Sequence, residues 1–248
     1  MSTKIQTKNL RKIYDTAERQ VHALEDINLE IEDGEFICLV GLSGCGKTTL
    51  LNILAGFIEV TSGSVWMDGK PINQNYNKGF VFQEYALFPW RTAIKNIEYG
   101  LEVRKVAAEE RKRIASEYLK LVRLEEFADF YPHNLSGGMR QRVAVARALA
   151  FDPQVLLMDE PFGALDAQTR EELQDLTVDI WQKTKKTVVY VTHNLSEAVF
   201  MGSRIAVFIP KPGRIREVLR VNLPRPRDPL SPEFIEIQRK VNQMIREF

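Results

Sequence analysis

Residues 35–48 read EFICLVGLSGCGKT. Glu35 to Val40 is a short, mostly apolar run bounded by glycine, the pattern of a buried strand. Gly41 to Thr48 then fits G-x-x-x-x-G-K-[ST], and the stretch from Lys47 to about Gly56 has the pattern of a helix. Strand, glycine-rich turn and helix in that order form a phosphate cradle. Gly41, Gly44 and Gly46 let the backbone turn tightly and aim its N–H groups inward, toward the site at the helix N-terminus that suits an anion. Lys47 supplies a point charge for the β- and γ-phosphates, and Thr48 a hydroxyl for Mg²⁺. Leu42, Ser43, Cys45 and Thr49 complete the candidate nucleotide-binding set. Cys45 occupies a variable slot and is read as a passive loop residue rather than a reactive thiol. The bland alternative, a chance glycine-rich turn, does not explain the register of strand, loop and helix. The loop alone does not name a function, because many kinases and GTPases carry it.

Composition narrows the setting. The 248 residues carry a net charge of +1, so no basic face supports nucleic-acid binding, and none is expected as a partner. Hydrophobic residues make up 44% and charged residues 27%, the balance of an ordinary globular chain with a sizeable core. The opening stretch MSTKIQTKNLRKIYD is too polar for a secretory signal. With only Cys38 and Cys45 in the chain, a reduced, cytosolic setting is expected. No apolar run approaches the roughly 18 residues that span a bilayer, so any work at a membrane requires a partner.

Outward from the cradle, Val21 to Ile31, Ser64 to Met67 and Gly79 to Phe82 read as strands. Thr92 to Phe127 is poor in glycine and rich in Glu, Lys, Arg, Ala and Leu, with Ile114, Tyr118 and Leu121 at helical spacing, and is read as helical. Its charge run EERKR, 109–113, is read as a solvated helix face. After Asp152-Pro153 strands alternate with helices: Val155–Met158, Gln168–Lys183, Thr187–Thr192, Ser196–Met201 and Ile205–Ile209. That alternation predicts a mostly parallel sheet covered on both faces. Leu223 to Pro232, LPRPRDPLSP, reads as a connector to a final helix from about Glu233.

Val155 to Glu160, VLLMDE, is an apolar strand ending in two acids. Asp159 fits the role of holding Mg²⁺, and Glu160 that of the base that orients or deprotonates an attacking water. An ordinary acidic turn is the alternative. The pairing with the phosphate cradle favours the catalytic reading.

Leu135 to Gln141 reads LSGGMRQ. Ser136 can cap a helix starting at the two glycines, with Met139, Val143 and Ala146 on its inner face. Such a helix start is a second phosphate-binding surface. One chain does not need two for one nucleotide, but two chains facing head to tail do. Here the sequence resembles the ATP-binding-cassette ATPases, whose signature is LSGGQ, with the motifs in the family's order over nearly the whole chain.

The resemblance implies the remaining assignments. Tyr14 resembles the aromatic that stacks on adenine. Gln83 looks like the glutamine that touches Mg²⁺ or the water. Ser136, Gly137 and Gly138 would meet ATP bound by a second chain, and Asp166, in ALD at 164–166, would cross that dimer interface. His193, after TVVYVT, looks like the histidine that contacts the γ-phosphate. The catalytic set is therefore Lys47, Gln83, Glu160 and His193; the metal set is Thr48, Gln83 and Asp159; the cofactors are ATP and Mg²⁺. Met139 stands where the pattern prefers Gln, Asn194 where Asp is commoner, Leu42 where Pro is common and Thr48 where Ser is common. None of these departures removes a catalytic group.

The expected fold class is α/β: a P-loop NTPase (RecA-like) core, a small antiparallel β subdomain and an inserted α-helical signature subdomain. The core is expected over 1–83 and 153–222, the helical subdomain over 84–152, and the connector and helix over 223–248. Glu84 to Ala93, EYALFPWRTA, gathers Tyr85, Leu87, Phe88 and Trp90. The resemblance makes the region Gln83–Arg91 a docking surface for integral-membrane permease subunits; packing beneath the helical subdomain is the alternative. LFPWRTA, LSGGMRQRVA and the tail LPRPRDPLSPEF resemble the nitrate, taurine and aliphatic-sulfonate importer branch. That implies a pair of nucleotide-binding subunits, either two copies of this chain or this chain with a related cassette subunit, peripheral on the cytoplasmic face of the cell membrane and served indirectly by an extracytoplasmic solute-binding protein. No large regulatory domain is expected after this tail. An exporter motor, a soluble cassette ATPase and a P-loop kinase are the rival readings, and the kinase explains neither LSGGM nor His193.

Overall fold

The structure, a computed structural model, describes residues 2–17, 19–72 and 77–247. It divides into two units, residues 1–76 with 185–248 and residues 77–184.

The first unit opens with a long hairpin. β1 (Thr3–Asp15) pairs antiparallel with β2 (Gln20–Glu32), from Thr3 opposite Glu32 to Asp15 opposite Gln20. Ile5, Leu10, Ile27, Leu29 and Ile31 are buried. The register shifts between Thr7 and Leu10, beside Asn9 at φ +47°. Asparagine enters the left-handed region more readily than most residues, so the irregularity is accommodated as a bulge. β3 (Phe36–Val40) is buried at all five positions, as a strand covered on both faces must be. It runs through the glycine-rich loop into α1 (Lys47–Ala55). That helix closes at Gly56, φ +80°, where Phe57 N–H donates to the Asn52 carbonyl and Gly56 N–H to that of Ile53. β4 (Ser62–Met67) returns antiparallel to β1, and β5 (Lys70–Pro71) lies on its edge, giving the order β2-β1-β4-β5.

The second unit pairs β6 (Lys78–Val81) in parallel with a later strand and places helices between the two. α2 (Ala93–Val103) and α3 (Ala108–Leu121) pack on α4 (Gly137–Ala150), with short 3₁₀ turns at Glu125–Phe127 and Pro132–Asn134. β7 (Val155–Asp159) is the partner of β6, with Val81 beside Met158, and α5 (Ala167–Thr184) follows. The region 92–127, expected to be helical, is so, as two helices and a 3₁₀ turn. Lys105 adopts φ +59°, its N–H donates to the Glu102 carbonyl and that of Val106 to Leu101. Arg123, also at φ +59°, ends α3 the same way, with Leu124 N–H on Leu119. Both closures put a charged residue where glycine is usual, so no glycine marks the breaks in the sequence.

In the first unit, β8 (Thr187–Val191), α6 (Leu195–Met201), β9 (Arg204–Ile209), β10 (Arg214–Arg220) and α7 (Pro232–Arg246) complete the fold. β3 lies between β8 and β9, parallel to both, and β10 runs antiparallel to β9. The fold is thus α/β, a mixed sheet with helices and an antiparallel subdomain beside it.

The connector does more than link. Arg227, buried, donates to the carbonyls of Val199, Phe200, Gly202, Val221 and Leu223, at 2.6–3.4 Å. Arg225 donates to Phe200 at 2.8 Å and Met201 at 2.5 Å. Two guanidinium groups therefore cover the carbonyl end of α6, where a cation is favoured by the helix dipole. Burial pushes Arg227 down to about 10, with Arg225 adding to the effect, and it remains charged at neutral pH. Arg227→Met keeps the stem and removes the donors. It should cost about 3 kcal/mol, or roughly 6–12 °C in melting temperature for a domain of this size. Calorimetry showing a drop under about 2 °C would contradict the clamp.

Candidate active site

The cradle is shaped by close approach. Gly41 sits at φ +154°, and a Cβ there would lie 2.5 Å from the Phe208 carbonyl oxygen. Gly46 sits at φ +93°, and its Cβ would lie 2.5 Å from Leu24 Cδ2 and 2.8 Å from the Ala23 oxygen. Neither position has room for a side chain. Gly46 is also the N-cap of α1, and as glycine it has no side chain with which to cap the helix start. The Lys47 ammonium donates to the carbonyls of Gly41 (2.9 Å) and Leu42 (3.0 Å), so its charge is held within the loop. Leu42, Ser43, Gly44 and Thr48 are exposed, and Thr49 half-buried. Cys45 is fully buried, and burial raises its thiol against the lowering effect of Lys47. It behaves as a packing residue.

In the same unit, His193 is exposed on the turn between β8 and α6. Tyr14 stands near the end of β1, opposite Val21, with its ring 36% exposed and the Lys12 ammonium 4.9 Å from its centre.

In the second unit, the parallel pairing of β6 and β7 brings their C-terminal ends to one edge. Gln83 is exposed just beyond β6, and Asp159 and Glu160 lie half-buried at the end of β7. Glu160 takes φ +42°, a left-handed conformation unusual for a side chain of this kind. Gln83 is brought to the loop after Glu160: a Cβ on Gly163 would be 3.5 Å from the Glu160 oxygen and 4.0 Å from Gln83 Nε2. Among the described residues no group of three or more His, Cys, Asp or Glu could hold a metal ion by itself. The candidate metal set is one hydroxyl, one amide and one carboxylate, oxygen donors that suit Mg²⁺ when phosphate and water complete the shell.

Ser136 is the N-cap of α4, its Oγ accepting from Met139 N–H at 3.2 Å. Val143 and Ala146 are buried, as expected of the inner face, but Met139 is only half-buried because it lies in the exposed first turn. Gly137 faces Tyr85, whose hydroxyl would be 3.0 Å from a Cβ, and Gly138 faces Thr169 Cγ2 at 2.4 Å. Asp166 caps the start of α5, accepting from Thr169 N–H at 3.0 Å, and that bond lowers its carboxyl.

Several residues that organise these segments carried no motif. Arg170 donates to the carbonyls of Phe162 and Leu165, fixing the chain before α5. Arg147 donates to Ala86 (2.6 Å) and Tyr85 (3.3 Å), tying the aromatic segment to α4. The buried Asn96 accepts from Phe88 N–H and donates to the carbonyls of Phe88, Arg91 and Thr92. Phe88 packs on Tyr99 with ring centres 4.5 Å apart, whereas Trp90 is 71% exposed. The aromatic segment is therefore partly packed and partly presented. A buried asparagine followed by no motif, or an arginine among several on one helix, gives no signal until its partners are known.

Gly138→Ala should strain the start of α4 by about 1–3 kcal/mol, because the β-branched Thr169 has little rotamer freedom in a helix. Adding Thr169→Ser removes the opposing methyl and should restore most of the melting temperature. Equal instability of the single and double variants would contradict this packing.

The chain's likeness to known proteins agrees with this arrangement. The ABC transporter family matches residues 24–163. An uncharacterized ABC transporter ATP-binding protein of Methanocaldococcus jannaschii is 49% identical, over all of this chain and 93% of its own length. The aliphatic sulfonates import ATP-binding protein of Bacillus cereus is 45% identical, over 94% of this chain and 92% of its own length. A dimeric ATP-binding cassette solved in a post-hydrolysis state with ADP and phosphate superposes with a TM-score of 0.78 at 37% identity, covering 88% of this chain and 99% of that one. A family match over more than half the chain, relatives this similar along its full length and the phosphate cradle of α1 agree: the chain belongs to the ABC transporter family, as an ATP-hydrolysing ATP-binding subunit.

Proposed function

We propose that this subunit powers import of a small solute of the nitrate, sulfonate or taurine class, by closure of two copies on two Mg·ATP. The observation that carries the reading is a pair of phosphate-suited helix starts in one chain, α1 on Gly46 and α4 on Ser136. Each would serve a different nucleotide: the first its own, the second that of the partner copy. The dimeric cassette to which the chain is similar supports this.

In this account Gly41–Thr49 and Lys47 hold the phosphates, and Tyr14 takes the adenine ring. Thr48, Gln83 and Asp159 would hold Mg²⁺, which when bound offsets charge on the β- and γ-oxygens. Glu160 accepts the proton of the attacking water, His193 orients that water and the γ-phosphate, and Ser136–Gly138 of the other copy donate to the γ-phosphate. Asp166 lies along the copy-to-copy contact. Catalysis is positioning and charge stabilisation rather than covalent chemistry.

The exposed Trp90, on a segment pinned by Asn96 and Arg147, supports docking of integral-membrane permease subunits along Gln83–Arg91. Among the described residues no helix is long and apolar enough to cross a membrane. In this reading the subunit sits peripherally, at the cytoplasmic face, held there by the permease subunits. A solute-binding protein outside the membrane would select the cargo. The import function of the Bacillus cereus relative supports this direction of transport.

Lys47→Ala should weaken ATP binding by about 10–100-fold, the worth of one charge-assisted contact. Glu160→Gln should keep that affinity and lose about 10²–10⁴ in turnover. Titration of fluorescent ATP and phosphate release on the two variants separate the roles. Unchanged affinity in the first, or wild-type turnover in the second, would overturn the assignments. Detergent extraction from native membranes should bring down a multi-span protein with the chain; recovery of soluble proteins alone would remove the transport reading.

A further inference from the structure

His193 leaves the sheet at a point where its two neighbours are tied to one residue, Thr192 to the carboxylate of Glu197 and Asn194 to its backbone N–H. Thr192 follows β8 directly, its N–H donating to the Leu39 carbonyl at 3.2 Å. Its hydroxyl is buried and donates to Glu197 Oε2 at 2.7 Å. Asn194 N–H donates to the same hydroxyl at 2.9 Å. The Asn194 side chain then caps α6, accepting from Ser196 N–H at 2.9 Å and from Glu197 N–H at 3.4 Å. The bonds form a closed ring, from Thr192 to Glu197 to Asn194 and back to Thr192, with His193 inside the loop and its side chain exposed. Tyr190, fully buried on β8, donates its hydroxyl to the same Glu197 oxygen at 3.0 Å.

A carboxylate buried to this degree is costly unless its acceptors are used. Here one oxygen takes two hydroxyl donors, from Tyr190 in the core strand β8 and from Thr192 just beyond its end. The far end of α6 is fixed as well, by Arg225 and Arg227. The turn carrying His193 is thus held from the strand behind it, from the helix after it, and across the gap between them.

We propose that Glu197 is a positioning residue for His193, acting through Thr192 and Asn194 to fix the direction in which the imidazole leaves the β8 edge. The proposal rests on the reading of His193 as the residue that orients the attacked phosphate. It predicts that the Glu197 contacts set turnover and not nucleotide affinity, because they hold the turn that carries His193 rather than the residues assigned to the phosphates and the adenine. A displacement of about 1 Å in a positioning group can cost on the order of 100-fold in rate.

The experiment compares ATP turnover and KM for His193→Ala, Glu197→Ala, Glu197→Gln, Thr192→Val and the Glu197→Ala/Thr192→Val pair, each first checked for folding by circular dichroism. His193→Ala should lose nearly all turnover. Glu197→Ala and Thr192→Val should each lose about 10–100-fold in kcat, with KM within about two-fold of the parent chain. Glu197→Gln keeps a carbonyl oxygen able to accept both hydroxyls and should stay within about three-fold. The pair should be no slower than the slower single variant, since both break the same ring. If Glu197→Ala does not fold, Thr192→Val, which keeps the side-chain shape, carries the test. Full turnover in Thr192→Val or folded Glu197→Ala, with His193→Ala inactive, would overturn the positioning role alone. Full turnover in His193→Ala would instead overturn the reading of His193 on which it rests. Kcat and KM moving together in the ring variants would also count against it.

Discussion

A helix that starts on a left-handed glycine, with no side chain capping it, directs its N-terminal backbone donors at whatever binds in front of it. That is the condition of α1 at Gly46. The rest of the first unit serves it. β3 is buried on both faces and so ends at a fixed point. The Phe208 backbone from β9 and Leu24 from β2 press on the loop closely enough to demand glycine at 41 and 46. Lys47 is gripped by two loop carbonyls, so its ammonium is organised by the same loop it serves. The preorganisation of charge in front of a helix start is what phosphoryl transfer chiefly requires of a protein.

Much of this is legible in the sequence because the relevant signals are local. Six apolar-to-glycine residues, a fixed glycine spacing and a following helix specify the cradle without knowledge of distant contacts. The buried strands TVVYV and VLLMD read correctly for the same reason: continuous apolar runs of that length have one stable place in an α/β sheet. The breaks at Lys105 and Arg123 were hidden because charged residues take the left-handed position there. The bulge at Asn9 and the strand at Arg214–Arg220, with its four charged side chains, lack clean alternation. The proline-rich connector looked passive, although Arg225 and Arg227 reach the carbonyls of Val199, Phe200, Met201 and Gly202, far back in the chain.

The candidate site divides in the same way. Lys47, Glu160 and Ser136 can be proposed from local pattern and spacing, and His193 from the family resemblance. The residues that aim them cannot. Glu197, Asn96, Arg147 and Arg170 work by hydrogen bonds to backbone or to buried hydroxyls, and nothing in their spacing announces a partner. Two of these supports, Glu197 and Asn96, are buried, where hydrogen bonds are worth more and loss of a partner costs more, whereas Ser136 and His193 are exposed.

The central claim is that the helix start at Ser136 acts on nucleotide held by another copy. Its most direct test is the specific ATPase activity of the purified chain as a function of its own concentration at saturating Mg·ATP. The account predicts that activity per chain rises with concentration and then levels off, as pairs form. Activity per chain that is constant from the most dilute to the most concentrated sample, with the chain monomeric throughout by sedimentation, would contradict it.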